Sequence, residues 1–129
     1  MTQADKATLF QNLHVKGDPI VLYNIWDAGT ARAVVKAGAK AVATGSASVA
    51  GAQGYPDGQD LPLELLLTIA SRIAASVDVP FTVDFEGGYA VKPEGVAANV
   101  TKVIEAGAIE EKERIIVGGV GAFYPYFIL

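Results

Sequence analysis

The chain alternates short apolar runs with segments of helical periodicity, three times in succession. The three pairs are 19–24 with 30–37, 40–44 with 62–74, and 79–84 with 93–106. Strands that are apolar on both faces occur in parallel sheets whose two faces are covered by helices. The alternation therefore predicts an α/β fold built from parallel (β/α) units.

The segments around these units carry weaker signals. Residues 7–13 are predicted to form a leading helix, and 45–60 are predicted to be a polar, glycine-rich loop. Two helices end in the same Ala-Gly-Ala sequence, at 37–39 and 106–108, which indicates a repeated unit whose glycine ends the helix. The second copy is followed by charged residues, so 109–114 are not predicted to form a buried strand. We expect a (β/α) domain over 1–108 and a divergent tail over 109–129.

Composition limits the class of protein. The 129 residues are half of the ~250 that a (β/α)8 barrel needs, and 51% are hydrophobic, enough for a core. A net charge of −4 without a basic cluster argues against nucleic acid as a partner. No apolar run reaches the ~20 residues of a membrane span, and no apolar leader is visible. The absence of cysteine permits a reducing compartment, so a cytoplasmic protein is expected.

Carboxylates follow the third apolar run, where a parallel sheet places its ligands. Asp84 and Glu86 would share one face if the strand continued through both. Asp57, in the long loop before the second helix of the alternation, could add a third carboxylate. Such oxygen ligands suit Mg²⁺ or Mn²⁺. The alternative is structural: Asp84 caps a turn, Glu86 is solvated, and Asp57 belongs to a Pro-Asp-Gly turn.

Small residues follow the second run. The backbone N–H groups of Ser46, Ala47 and Ser48 could approach an anion, although a plain loop is an equal alternative. Trp26, the only tryptophan, follows the first run and could wall a pocket or be a half-buried core aromatic.

Four motifs in order carry a family resemblance. They are Asn-Ile-Trp-Asp-Ala-Gly-Thr-Ala-Arg at 24–32, Thr-Gly-Ser-Ala-Ser-Val-Ala at 44–50, Gly-Tyr-Pro-Asp-Gly at 54–58, and Val-Asp-Phe-Glu-Gly-Gly-Tyr at 83–89. Together they resemble the phosphoenolpyruvate mutase/isocitrate lyase superfamily, in its branch similar to carboxyphosphonoenolpyruvate mutase. Each motif alone is weak, but the ordered set spans about residues 10–108.

The resemblance implies the N-terminal half of a TIM-type (β/α)8 barrel and a Mg²⁺-dependent lyase or phosphomutase (isomerase) chemistry. The substrate would be a small 2-oxo acid or an enol-phosphate, reacting through an enolate. By the same resemblance Asp84 would bind Mg²⁺ directly, while Glu86 and Asp57 would hold its water ligands. The remaining site residues would bind the substrate: Ser46, Ala47 and Ser48 its carboxylate, and Trp26 the pocket wall.

The sequence also departs from the family pattern. The expected Gly-Val-x-Ile/Phe-Glu-Asp strand after the third helix, the lid with its lysine, cysteine or asparagine, and a later arginine have no counterpart, so no catalytic residue is assigned. The alternative function is a truncated, non-catalytic chain that keeps only part of the metal and oxo-acid site. A generic phosphate-binding α/β domain is a weaker rival, since no glycine-rich phosphate motif is present. An open barrel edge predicts self-association.

Overall fold

The computed structural model of the protein describes residues 1–109. They form five helices and three strands in the order α1–β1–α2–β2–α3–α4–β3–α5. The helices and strands are α1 (Gln3–Asn12), β1 (Asn24–Ile25), α2 (Ala28–Lys36), β2 (Val42–Thr44), α3 (Ser46–Ala52), α4 (Leu63–Ser76), β3 (Phe81–Thr82) and α5 (Pro93–Glu105).

The three strands form one parallel sheet in the order β1-β2-β3. In the register, Ile25 lies opposite Thr44 and Val42 lies opposite Phe81. Each parallel pair is connected through at least one helix, as the distance between the ends of parallel strands requires. The predicted α/β fold of parallel (β/α) units is confirmed.

The first strand is much shorter than the predicted run of 19–24. Pairing with β2 begins only at Asn24, and Val21 and Tyr23 remain 64% and 61% exposed. β-Branched and aromatic residues in this run gave a strand signal, but such propensity forms a strand only where a neighbouring strand is available.

All three helices of the units form, and their first residues differ from the prediction by two residues in α2, by one in α4 and by none in α5. Helix α2 begins after Asp27, whose carboxylate accepts the Thr30 N–H at 2.7 Å and completes a capping box. Helix α5 begins at Pro93, as expected of proline in a first turn, after Lys92, which makes no side-chain cap. Helix α4 begins one residue later than predicted, because Pro62 is its N-cap rather than part of its first turn.

The prediction of a continuous loop over 45–60 was wrong. Seven of its residues form helix α3, whose Val49 and Ala50 are buried in the same core as the strand residues. Three of its seven residues are alanine, which favours a helix, whereas its glycine and serines favour one less, so the local signal is mixed. Burial of Val49 and Ala50 adds stabilisation that a helix this short needs.

The main core lies between the sheet and the helices α2, α4 and α5. Ile25, Val42 and Phe81 supply one buried side chain from each strand, and Ile73 of α4 packs against them. Phe85, just beyond β3, is also buried, at 2% exposure. Burying one such large apolar side chain contributes about 1.5–3 kcal/mol, so the core fixes the positions of all three strand ends.

A second, smaller core lies under the amino ends of the strands. Phe10 of α1 packs there with Ala41, which precedes β2, and with Ile109. The Gln3 side-chain amide donates to the carbonyl of Ile104 at 2.8 Å and to that of Ala108, which ties α1 to the end of α5. Helix α1 therefore closes the end of the sheet opposite the polar strand ends.

Of the segment 109–114, only Ile109 belongs to the described residues. It is buried, and its N–H donates to the carbonyl of Phe81 at 2.9 Å, alongside β3, but it is part of no strand. The rest of the predicted tail, 110–129, lies outside the described residues, so the expectation for 109–114 stays a prediction.

The repeated Ala-Gly-Ala sequence corresponds to a repeated structure. Helices α2 and α5 both end in a Schellman motif, with Gly38 and Gly107 each at φ 105°. In the first copy the Ala39 N–H donates to the Val34 carbonyl at 3.2 Å, and in the second Ala108 donates to Val103 at 3.3 Å. The two glycines therefore end their helices in the same way.

These two glycines offer a matched test of the core. A Cβ at Gly38 would meet nothing within 4 Å, whereas one at Gly107 would lie 2.6 Å from the Ala74 Cβ. Gly38→Ala is expected to cost about 1–2 kcal/mol for the left-handed backbone alone. Gly107→Ala adds overpacking of about 1–3 kcal/mol. Urea unfolding measures both; equal losses would contradict the close packing of α5 on α4.

The remaining expectations concern the membrane, self-association and the domain boundary. None of the helices in residues 1–109 has the length and apolar character of a membrane span. Self-association through an open sheet edge stays a prediction, as does the division of the chain at residue 108.

Candidate functional site

Asp84 links the carboxyl ends of two strands. Its own N–H donates to the hydroxyl of Thr44 at 3.0 Å, and Thr44 is the last residue of β2 and only 3% exposed. One carboxylate oxygen accepts the Ser46 N–H at 3.2 Å, and the other accepts the Glu86 N–H at 3.2 Å. Hydrogen bonds to a carboxylate are stronger than those between neutral groups, so Asp84 is held firmly in this position.

Glu86 reaches Asp84 by a route that differs from the predicted one. The strand ends at Thr82, and Glu86 has a left-handed backbone, with φ 51°, so the two carboxylates do not share a face of a continuing strand. A turn brings them together instead, closed by the bond from the Glu86 N–H to Asp84. The Glu86 carboxylate accepts the Gly58 N–H at 3.1 Å, which joins this turn to the loop containing Asp57.

Asp57 lies beside Glu86. Burial raises the pKa of the Glu86 carboxyl, and a hydrogen bond with the Asp57 side chain and the negative charges of Asp57 and Asp84 raise it further. Asp57 therefore belongs to a Pro-Asp-Gly turn and also lies beside the carboxylate of Glu86. Glu86 thus lies near both of the other predicted metal-site residues, Asp57 and Asp84.

The donor chemistry of this group fits a hard divalent cation. Among residues 1–109 the ion pairs with a carboxylate involve Asp78 and leave these three carboxylates without a lysine or arginine partner. In the same part of the chain no three His, Cys, Asp or Glu side chains converge closely enough to hold a metal directly. Water ligands would have to complete the coordination, which suits Mg²⁺, since this ion usually keeps several waters.

Ser46, Ala47 and Ser48 form the first turn of α3 rather than a loop nest. Gly45 is the N-cap without a side-chain bond, and the Ser48 hydroxyl donates to the Gly45 carbonyl at 2.8 Å. The first N–H groups of a helix have no acceptor within the helix, and Asp84 takes that of Ser46.

Trp26 lies one residue beyond β1, at the same end of the sheet. It is 39% exposed, which is compatible with both a pocket wall and a half-buried core aromatic. Its backbone N–H donates to the Thr30 hydroxyl at 3.2 Å. It is not among the residues that line the crevice around Asp84, and its role as a pocket wall stays a prediction.

A small crevice of about 10 Å³ opens between these elements, large enough for roughly one water molecule or ion. Tyr89 and Gln59 line it and were not predicted as site residues. Burial and the charges of Glu86 and Asp57 raise the pKa of Tyr89 to about 12, so its phenol stays protonated at neutral pH. The crevice lining is Ser46, Val49, Ala50, Gln59, Leu61, Leu66, Asp84, Glu86 and Tyr89.

Some of the site residues that were not predicted had a recognisable signal in the sequence, and others had none. Thr44 ends a predicted strand and Tyr89 ends the fourth motif, so their positions could have indicated a role. Gln59 stands in a loop without periodicity, and Asn99 lies on α5, where its amide donates to the carbonyls of Gly88 and Tyr89 at 2.9 and 3.2 Å. No local pattern identifies these contacts.

Comparison with known proteins shows the family. The model of the phosphoenolpyruvate phosphomutase family matches residues 10–113. The chain belongs to this family. An uncharacterised protein of Mycobacterium tuberculosis H37Rv is 34% identical over 98 residues, which are 76% of this chain and 38% of that protein.

Solved structures agree in fold. A protein from Burkholderia cenocepacia J2315 assigned as a phosphonomutase is 48% identical, with a TM-score of 0.79, over 81% of this chain and 42% of that one. Oxaloacetate acetylhydrolase, solved with its product oxalate, is 25% identical, with a TM-score of 0.68, over 80% and 36%. The chain spans about two fifths of the length of the relatives it matches.

The raised pKa of Glu86 predicts how stability depends on pH. A carboxyl whose pKa is higher in the folded state contributes stability below its unfolded pKa, and this contribution is lost as pH rises through the folded pKa. In metal-free buffer Glu86→Gln should therefore be more stable than the parent at neutral pH and equal to it below about pH 4.

Urea unfolding at several pH values from about 4 to 7 measures the difference in stability between Glu86→Gln and the parent. Glu94→Gln is the control, since it removes a favourable charge from the first turn of α5 and should slightly lower stability at neutral pH. A Glu86→Gln variant that loses stability at neutral pH would contradict the electrostatic account of the carboxylate group.

Proposed function

We propose that the chain provides the metal- and oxo-acid-binding part of a Mg²⁺-dependent lyase or phosphomutase-type enzyme, which acts on a small 2-oxo or enol-phosphate acid through an enolate. The observation that carries this proposal is the group of Asp84, Glu86 and Asp57 at the carboxyl end of the sheet, where parallel α/β folds bind their ligands. Membership of the family supports the reaction class.

In this proposal Asp84 binds the cation directly, and Glu86 and Asp57 bind its water ligands. Mg²⁺, or Mn²⁺ in its place, would offset negative charge that develops on the substrate oxygens. The backbone bonds to Asp84 fix one carboxylate in advance, so its alignment costs little when the cation binds.

Binding of the substrate carboxylate is assigned to the first turn of α3. Its N–H groups point out of the helix end, where an anion is favoured. Ser46 already donates to Asp84, which leaves Ala47 and Ser48 as the donors closest to a ligand beside the cation. Trp26, exposed beyond β1, would cover the ligand from the neighbouring strand end.

The described residues support binding more directly than turnover. The crevice lining contains carboxylates, an amide, a serine and Tyr89, but no lysine, arginine or histidine. Tyr89, protonated at neutral pH, could donate a hydrogen bond, whereas Glu86, the lining carboxyl with a raised pKa, is already assigned to the water ligands of the cation. Binding without catalysis is therefore the second function to be tested.

Calorimetric titration of the chain with oxalate, with and without Mg²⁺, tests the proposal. Oxalate mimics the enolate of a small oxo acid, and binding is expected only with Mg²⁺. Asp84→Asn should weaken Mg²⁺-dependent binding more than about tenfold, since changes even to outer-shell partners cost 10–100-fold. Asp78→Asn is the control and should bind normally, because among residues 1–109 the Asp78 carboxylate forms ion pairs only with Lys6 and the N-terminus.

The outcomes separate the two functions. Mg²⁺-dependent binding followed by turnover of a 2-oxo acid supports the enzyme, and binding without turnover supports the non-catalytic alternative. Normal binding by Asp84→Asn would refute the metal assignment, and a folded parent chain that binds no oxalate would refute the site as a whole.

A further inference from the structure

Two loops meet beside Asp84 and exchange hydrogen bonds in opposite directions. From the loop at 53–60, the Gly58 N–H donates to the Glu86 carboxylate at 3.1 Å. From the loop at 83–92, the Tyr89 N–H donates to the side-chain carbonyl of Gln59 at 2.7 Å. Each loop thus uses one backbone N–H and one side chain to hold the other.

The backbone at Gln59 indicates that this side chain has a specific task. Gln59 has φ 69°, a left-handed conformation that costs a residue other than glycine or asparagine roughly 1–2 kcal/mol. Such strain persists where the surrounding structure requires it, most often at functional sites. Asparagine would adopt this backbone more readily, but its shorter side chain would not reach the Tyr89 N–H.

The space around Gln59 fits its amide. A Cβ at Gly87 would lie 3.1 Å from the Gln59 side-chain nitrogen, so the absence of a side chain at 87 gives the amide room. The amide also offers an acceptor oxygen without charge. A carboxylate at this position would add a fourth negative charge beside Asp57, Glu86 and Asp84.

We propose that Gln59 is a positioning residue, whose bond to the Tyr89 N–H holds the loop after β3 so that Glu86 stays beside Asp57 and Asp84. The inference rests on the proposed metal site and extends it to a residue that does not touch the cation. Asn99 holds the same loop from the other side, through the carbonyls of Gly88 and Tyr89, and provides a comparison.

The test uses the full chain and four variants. Gln59→Met keeps the length of the side chain without the acceptor, and Gln59→Glu keeps the acceptor. Gln59→Asn suits the left-handed backbone but is too short, so it replaces Gln59→Met if that variant does not fold. Asn99→Leu loosens the loop without breaking the bond between the two loops. Exchange of the Tyr89 amide by NMR and Mn²⁺ affinity by calorimetry are measured for each.

Gln59→Met should lose protection of the Tyr89 amide and bind Mn²⁺ about tenfold more weakly, as outer-shell changes do. Gln59→Glu should keep both properties, since the acceptor remains and the added charge attracts the cation. Asn99→Leu should lower stability with less effect on Mn²⁺ affinity.

Parent-like Mn²⁺ affinity in both Gln59→Met and Gln59→Asn would overturn this inference and leave the metal site standing. An equal loss of affinity in Asn99→Leu would also overturn it, because general order of the loop would then explain the effect. A parent chain that binds no Mn²⁺ would refute the proposed function itself, and this inference with it.

Discussion

The site depends on the way one carboxylate is bonded to the backbone. Asp84 accepts N–H groups from the start of α3 and from its own turn, while its N–H binds the buried Thr44 at the end of β2. Two strand ends, a helix start and a loop therefore share one residue. The apolar core beneath, which contains Phe81 of β3 and Phe85 within the turn, holds Asp84 at the carboxyl end of the sheet.

This arrangement places electrostatic repulsion where the backbone is already constrained. Three carboxylates lie close together, and Glu86, Gln59 and Tyr89 all have left-handed backbones, at φ 51°, 69° and 56°. Repulsion between the carboxylates and strain in the backbone both lower the stability of the metal-free protein. A bound cation would relieve the repulsion and thereby stabilise the folded state.

Local patterns in the sequence predicted the features that repeat. The alternation of strands and helices, the Ala-Gly-Ala helix ends and the start of α5 at Pro93 each follow from periodicity or from a residue with a restricted backbone. A group of Asp57, Asp84 and Glu86 was also predicted. The reason given for Asp84 and Glu86 was wrong, however, because β3 ends before them and a turn, not a shared strand face, brings them near each other. Helix α3 was missed because its serines and glycine were interpreted as a loop, although three of its seven residues are alanine. Gln59 was missed because its partner lies 30 residues away along the chain.

Direct binding of the cation by Asp84 is tested by a crystal structure of the chain grown with Mn²⁺ and measured at a wavelength where manganese scatters anomalously. We expect one strong anomalous peak at about 2.2 Å from an Asp84 carboxylate oxygen, with waters between the ion and both Glu86 and Asp57. A well-ordered crystal without a peak there, or with its peak at other carboxylates, would refute binding by Asp84.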